Sequence, residues 1–258
     1  MLVDAHAHLH EYSLANFMDV LSSSISNLTV ISNSVDVESS IRTIAIGKKT
    51  KKVIPFVGIH PDIFKNQLEG DSEEAIRTRV EAIQEIAPFS SGIGEIGIDP
   101  KYGSLEYQER LFTSLLGTCE KTRLPVSIHS RDSVQKILPI LTTFSLTGSI
   151  LFHWFAGSES ELKQIKDRGY YVSYGPSILY SKRMATLVEK SSPDRILSET
   201  DSPTPFSSLT KGISTPYLVA SVVFKIGLIT KTNFEQTKQM LHLNVLRYLG
   251  TQNSLRVK

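Results

Sequence analysis

Eight short apolar runs recur along the chain, at residues 2–6, 28–33, 53–59, 91–97, 124–129, 149–154, 170–174 and 195–200, and six of them close on a His, Glu or Asp. Any fold for this sequence must bring the ends of several buried strands to one place. Runs of this kind, separated by helix-like segments, predict parallel strands covered by helices. Eight such alternations predict an α/β fold, a single-domain (β/α)8 TIM barrel, because closure buries both strand faces and removes the sheet edges.

Some helical segments carry their own boundaries. Asp71-Ser72-Glu73-Glu74 supplies a cap-like residue and an acidic first turn, after which Ile76, Val80, Ile83 and Ile86 recur at helical spacing until Pro88. Further helices are predicted over 105–123, with Leu111, Leu115 and Leu116 on the apolar side, and over 158–168, which stops at Gly169. An extra C-terminal helix, about 233–248, is expected on the barrel exterior. With 258 residues, 40% of them hydrophobic, and no linker or low-complexity tract, the chain reads as one hydrolase barrel over 1–250. Residues 251–258 read as a polar C-terminal tail that frays.

The chain opens directly on its first strand, which leaves no room for a cleaved signal segment. No apolar stretch approaches the roughly 20 residues needed to span a bilayer. A single cysteine, Cys119, rules out a disulfide framework. The expectation is a cytoplasmic protein with no membrane association and no obligatory protein partner. Net charge is only +2, and Gly47-Lys48-Lys49-Thr50-Lys51-Lys52, the densest basic cluster, reads as a solvated helix end. A nucleic-acid ligand would therefore be held through few phosphates, with shallow salt dependence.

The polar run-ends suit metal binding. In His6-Ala7-His8, the period-two alternation of a strand puts both imidazoles on one face, where together they can hold an ion. Glu95, His129, His153 and Asp201 stand at later run-ends, so six donors are offered where a mononuclear catalytic zinc uses three. The surplus points to two divalent metal ions, whether Zn, Mg or Mn. A carboxylate must bridge such a pair, and Glu95 on the fourth strand is placed to do so. His6, His8, Glu95 and Asp201 would hold one ion; Glu95, His129 and His153 would hold the other. With Glu95 at that position no carboxylated lysine is needed. An attacking water still requires a base, and that role falls to Asp201, whose alternative reading is an N-cap before Ser202-Pro203.

His60 stands to one side of this pair and reads as a contact for a substrate oxyanion, or as a histidine fixed by the Pro61 turn. Arg131 could clamp a phosphate bidentately or pair with Asp132. Trp154 and Phe155 could stack on a base or sugar, or simply pack at the mouth. His10 reads as a rim residue and His242 as structural.

Six motifs occur in order: Asp4-Ala5-His6-Ala7-His8, Gly58-Ile59-His60-Pro61, Gly94-Glu95-Ile96-Gly97-Ile98-Asp99, Ile128-His129-Ser130-Arg131, Phe152-His153-Trp154-Phe155-Ala156-Gly157-Ser158 and Glu199-Thr200-Asp201-Ser202-Pro203. As a set they resemble the TatD family of metal-dependent deoxyribonucleases, within the amidohydrolase-like barrels, and Gln108 and Asn244 also fit its pattern. The resemblance implies a hydrolase cleaving phosphodiester bonds, a 3′-5′ exonuclease acting on DNA as single strands or 3′ ends. It places the family's metal positions at His6, His8, Glu95, His129, His153 and Asp201, and its substrate-contacting histidine at His60.

Two departures flank the mouth. Pro100-Lys101 follows Asp99 where the family usually has an aromatic residue, and Lys211-Gly212-Ile213-Ser214-Thr215-Pro216 replaces the usual Asn-containing loop. Both bear on substrate rather than on metal, since specificity on this fold resides in loops. The alternatives are a metal-dependent ester or amide hydrolase, such as the D-aminoacyl-tRNA deacylase activity with which some TatD-like proteins are associated, and a non-catalytic metal-stabilised binding protein. The last would be expected to lack a ligand or the base, and neither is missing.

Overall fold

Eight strands pair in parallel and in sequence order: β1 (Leu2–Ala7), β2 (Leu28–Ser32), β3 (Val53–Val57), β4 (Gly92–Gly97), β5 (Val126–His129), β6 (Ile150–Phe152), β7 (Tyr171–Tyr174) and β8 (Ile196–Ser198). This is the arrangement in a computed structural model, which describes residues 1–12, 28–65, 73–206 and 213–250. The strands are the eight apolar runs of the sequence, shifted at their ends by a few residues. Between β8 and β1 the barrel is drawn together by individual bonds: Ser198 Oγ donates to Val3 O at 3.1 Å, Asp201 N to His6 O at 2.8 Å and His8 N to Ser202 O at 2.7 Å.

The described helices are α1 (Val37–Lys49), α2 (Glu73–Ile86), α3 (Leu105–Thr122), α4 (Val134–Leu141), α5 (Glu159–Asp167), α6 (Lys182–Lys190), α7 (Val219–Thr230) and α8 (Phe234–Tyr248). Side-chain capping boxes start three of them, at Asp36 with Ser39, Ser158 with Glu161 and Asn233 with Gln236. Helix α2 gives way at Ile86 to a short 3-10 turn containing Pro88, as expected, whereas its predicted cap at Asp71-Ser72 lies outside the described residues. The basic cluster from Lys48 does sit at a helix end, that of α1. Among the described residues no helix is long and apolar enough to cross a membrane.

Strand alternation splits the apolar residues between two cores. Val126, Ile128, Ile150, Phe152, Val172 and Ile196 pack outward with helical residues such as Leu115, Ile137 and Leu187. Leu151, Tyr171 and Leu197 instead join Val3, Ala5, Ile31 and Phe56 in an inner layer. That layer is completed by Val245 and Tyr248, whose phenol ring lies 6.1 Å from Phe56 and 5.5 Å from Tyr171. Helix α8 therefore does more than lie on the exterior, where its Leu241 joins the outer core. Its last turn closes the end of the barrel at which the strands begin, and Asn244 Nδ2 fastens it by donating to Pro193 O at 2.7 Å and Ile196 O at 2.9 Å. The tail at 251–258 lies outside the described residues.

Tyr248→Ala should cost about 3–5 kcal/mol, because truncating a buried aromatic loses its burial and leaves a void. Tyr248→Phe should be close to neutral, since the hydroxyl is buried without a hydrogen-bond partner among the described residues. Denaturant midpoints of the two variants check this; a minor loss for Tyr248→Ala would show that α8 does not complete the inner layer.

Candidate metal centre

The end of the barrel opposite α8 gathers every donor singled out in the sequence. His6 and His8 come from the end of β1, and their Nε2 atoms lie 3.4 Å apart. Glu95 Oε2, from β4, lies 3.2 Å from His6 Nε2 and 3.4 Å from His8 Nε2. Asp201 Oδ1, three residues past β8, lies 3.0 Å from His8 Nε2 and 3.6 Å from His6 Nε2. A tetrahedral site with ligand bonds of about 2.05 Å has donor-to-donor edges of about 3.3 Å. His6, His8 and Glu95 lie close enough together to hold one divalent ion, with Asp201 beside both imidazoles, and His60, Glu95 and His129 form another such group.

The outer ring nitrogens are tied down, which aims the inner ones at one point. His8 Nδ1 lies 3.2 Å from Asn33 O and His6 Nδ1 lies 3.1 Å from Ser127 Oγ. Asp201 adopts a left-handed backbone conformation, φ 51°, and starts a turn in which Thr204 N donates to its carbonyl at 3.0 Å. It is therefore not a helix N-cap.

The other oxygen of Glu95 meets a second group of imidazoles. Oε1 lies 2.7 Å from His129 Nδ1, at the end of β5, and 2.6 Å from His153 Nε2, just past β6. His60 Nε2 is 3.5 Å from the same oxygen, so His60 is drawn in beside Glu95 rather than standing apart from the donors as the sequence suggested. In a closed barrel β3 adjoins β4, and Gly58 lets them converge: a Cβ there would come within 2.7 Å of Glu95 O. Glu95 is buried, which opposes its charge, but His153, His60, His6 and His129 hold its carboxyl well below the usual range.

Three buried carboxylates escaped the sequence reading. Asp99 Oδ2 lies 2.8 Å from His129 Nε2, and Glu199 Oε2 lies 3.8 Å from His153 Nδ1 while accepting from Ser173 Oγ at 2.6 Å. Asp4 accepts from Thr200 N at 2.9 Å and from the Thr200 hydroxyl. The available signal is their position within the motifs, beside strand residues that become buried, since acidic residues seldom sit fully buried without a partner. Gln108 earns its place in the family pattern by receiving Asp99 N at 2.8 Å and donating to Asp99 O at 3.0 Å.

A cavity of about 660 Å³ opens above the donors. Arg131 lines it, half-exposed, with its guanidinium 3.6 Å from Asp99 rather than paired with Asp132. Trp154 lines it too, whereas Phe155 is buried in the outer core, so only the first of these two aromatics faces the cavity. Tyr102 supplies an aromatic ring beside His60, centroids 5.7 Å apart, close to where Pro100-Lys101 departs from the family pattern. His10, read as a rim residue, is mostly buried, which pushes its imidazole down to about 4, and it is not among the described residues lining the cavity. His242 lies in α8, away from the cavity lining.

The chain matches the family described as TatD related DNase over residues 3–250. It is 24% identical over 249 residues to an uncharacterized metal-dependent hydrolase of Methanocaldococcus jannaschii, covering 95% of this chain and 96% of the relative. A protein of Enterobacter lignolyticus named 3′-5′ ssDNA/RNA exonuclease TatD is 25% identical over 171 residues, or 64% of this chain and 63% of that one. Among solved structures, the TatD homolog YjjV of Escherichia coli superposes with a TM-score of 0.84 at 22% identity, over 96% of this chain and 97% of its own, which is a likeness of fold.

Burial alone would lower the His8 imidazole, but Asp201 and Glu95 beside it push it up to about 9; His129 and His153 are raised as well by their carboxylates. The His8 ring therefore carries a proton at neutral pH, and an arriving ion must displace it. Metal affinity should therefore rise from about pH 7 to about 9 and fall in acid. Titrations across that range, with calorimetry in buffers of different ionisation heat to count the protons released, check this; pH-independent affinity would contradict it.

Proposed function

Because the chain belongs to the TatD related DNases, a family of metal-dependent hydrolases, we propose that it removes nucleotides from the 3′ ends of DNA strands with two divalent ions. The observation that carries this reading is the division of Glu95, one oxygen facing His6 and His8 and the other facing His129 and His153, as a bridging carboxylate requires. His6, His8, Glu95 and Asp201 would hold one ion, and Glu95, His129 and His153 would hold the other. Ions held there would acidify an attacking water and offset the charge that builds on the phosphate.

The chain's own groups do the remaining work. Asp201 takes the water proton on Oδ2, the oxygen turned away from His8 and oriented by a hydrogen bond from the Thr204 hydroxyl at 3.3 Å. His60, its Nδ1 anchored by Asp62 N at 3.1 Å, presents Nε2 to a phosphate oxygen, and Arg131 grips the same phosphate from the rim. A strand end suits this mouth better than mid-duplex. Glu11, Asp62, Asp132 and Glu161 line the cavity, and Arg131 is the only Lys or Arg among its described lining residues, so few phosphates find a cation.

Those carboxylates also favour a second reading, hydrolysis of an aminoacyl ester such as a D-aminoacyl-tRNA, because they suit an α-ammonium group. Metal-reconstituted protein offered 3′- and 5′-labelled single-stranded DNA beside an aminoacyl-tRNA separates the two. Stepwise shortening from the 3′ end supports the nuclease; deacylation without shortening overturns it.

Glu95→Ala should empty the centre more completely than any other single change, because it serves both ions. Elemental analysis decides: if His153→Ala strips as much metal and Glu95→Ala little, the bridge is wrongly assigned. His60→Ala and Arg131→Ala should leave metal in place and lower turnover by roughly 10- to 150-fold, the equivalent of one charge-assisted contact of about 1.5–3 kcal/mol made in the transition state. Asp201→Asn keeps an oxygen for the ion but loses the base, so its rate should fall further while part of the metal stays. Near-wild-type hydrolysis by metal-loaded Asp201→Asn would leave Asp201 a ligand only.

A further inference from the structure

Trp154 is the only tryptophan in the chain, and it follows the donor His153 directly. Its backbone is left-handed, φ 41°, which is unusual for a bulky residue and persists only where the surroundings enforce it. Ser173 on β7 does so from two sides: its hydroxyl accepts from Trp154 N at 3.3 Å and its carbonyl accepts from Phe155 N at 3.0 Å. The turn sends Phe155 into the outer core and leaves Trp154 partly exposed on the cavity wall. An indole needed only for packing would be buried like its neighbour.

One side of the Trp154 ring is backed by Phe206, with centroids 5.3 Å apart and the planes 28° off parallel. The indole is thereby fixed as a rigid shelf beside the metal donors. A flat partner gains from such a shelf whatever its edge carries, because every nucleobase has a π-face. We propose that the open face of Trp154 is a nucleobase subsite, on which the terminal base of a strand stacks while its phosphate lies at the Glu95 centre. The inference rests on the reading of the substrate as a nucleotide end. It adds that the enzyme senses the presence of a terminal base without selecting its identity.

The probes are deoxyadenosine 5′-monophosphate and deoxyribose 5-phosphate, which share the phosphate and sugar but not the base. With metal-loaded protein the nucleotide should quench the intrinsic tryptophan fluorescence saturably and the sugar phosphate should not. By calorimetry the nucleotide should bind about 5- to 150-fold more tightly, the range expected for one stacked base. Trp154→Tyr should keep most of that preference. Trp154→Gly removes the ring and suits the left-handed backbone, so it should keep its metal content and lose the preference. The subsite is overturned if the nucleotide displaces the sugar phosphate without quenching, or if Trp154→Gly retains the full preference. Quenching by the nucleotide in a protein that shortens no labelled DNA would sustain the subsite while removing the exonuclease reading.

Discussion

The site depends on a carboxylate that faces no substrate. Asp4 is buried in the middle of β1, where its oxygens take the N–H and hydroxyl of Thr200 beyond β8 and the N–H of His6 at 3.3 Å. Burial pushes its carboxyl up, and the hydrogen bonds from Thr200 and His6 work against that shift. Around this anchor the chain after β8 binds back to β1, through Asp201 N to His6 O and His8 N to Ser202 O. Barrel closure and the placing of three donors, His6, His8 and Asp201, are thus one structural event.

Across the seam from that anchor, carboxylates and imidazoles alternate: Asp99, His129, Glu95, His153, Glu199. His129 is hydrogen-bonded to a carboxylate on both sides, which fixes its orientation, whereas His153 is bonded to Glu95 and only faces Glu199, at 3.8 Å. Among groups this deeply set in the barrel the alternation keeps unlike charges adjacent, which is the condition under which buried ionisable groups are tolerated. The strands contribute one or two members apiece.

Much of this was legible because apolar runs end where side chains become polar. Leu151-Phe152-His153 announces both a buried strand and the point at which it reaches the site. Helix α7 was harder to bound: its Val219–Thr230 sequence is apolar nearly throughout and rich in β-branched residues, so periodicity marks neither face. The place of His60 was missed for a different reason. Sequence order ranks β3 before β4 but says nothing of the close approach at Gly58 that accompanies the 3.5 Å separation of His60 Nε2 from Glu95. The roles of Asp4, Asp99 and Glu199 are tertiary facts, because each acts on a residue far away in the sequence, Asp4 on Thr200, Asp99 on His129 and Glu199 on His153.

The inner layer of the barrel, lined by residues from Val3 onward, is finished by Val245 and Tyr248 in the last turns of α8. During synthesis the early strands must therefore wait, their inward side chains exposed, until nearly the whole barrel has emerged from the ribosome. A nascent chain halted within α8 can hold all six donors and still lack the cover beneath them. Such a chain exposes apolar strand surface in the way that leaves folding intermediates prone to self-association and dependent on chaperones. The position of the last turns of α8 thus sets the moment in translation at which the barrel can first become native.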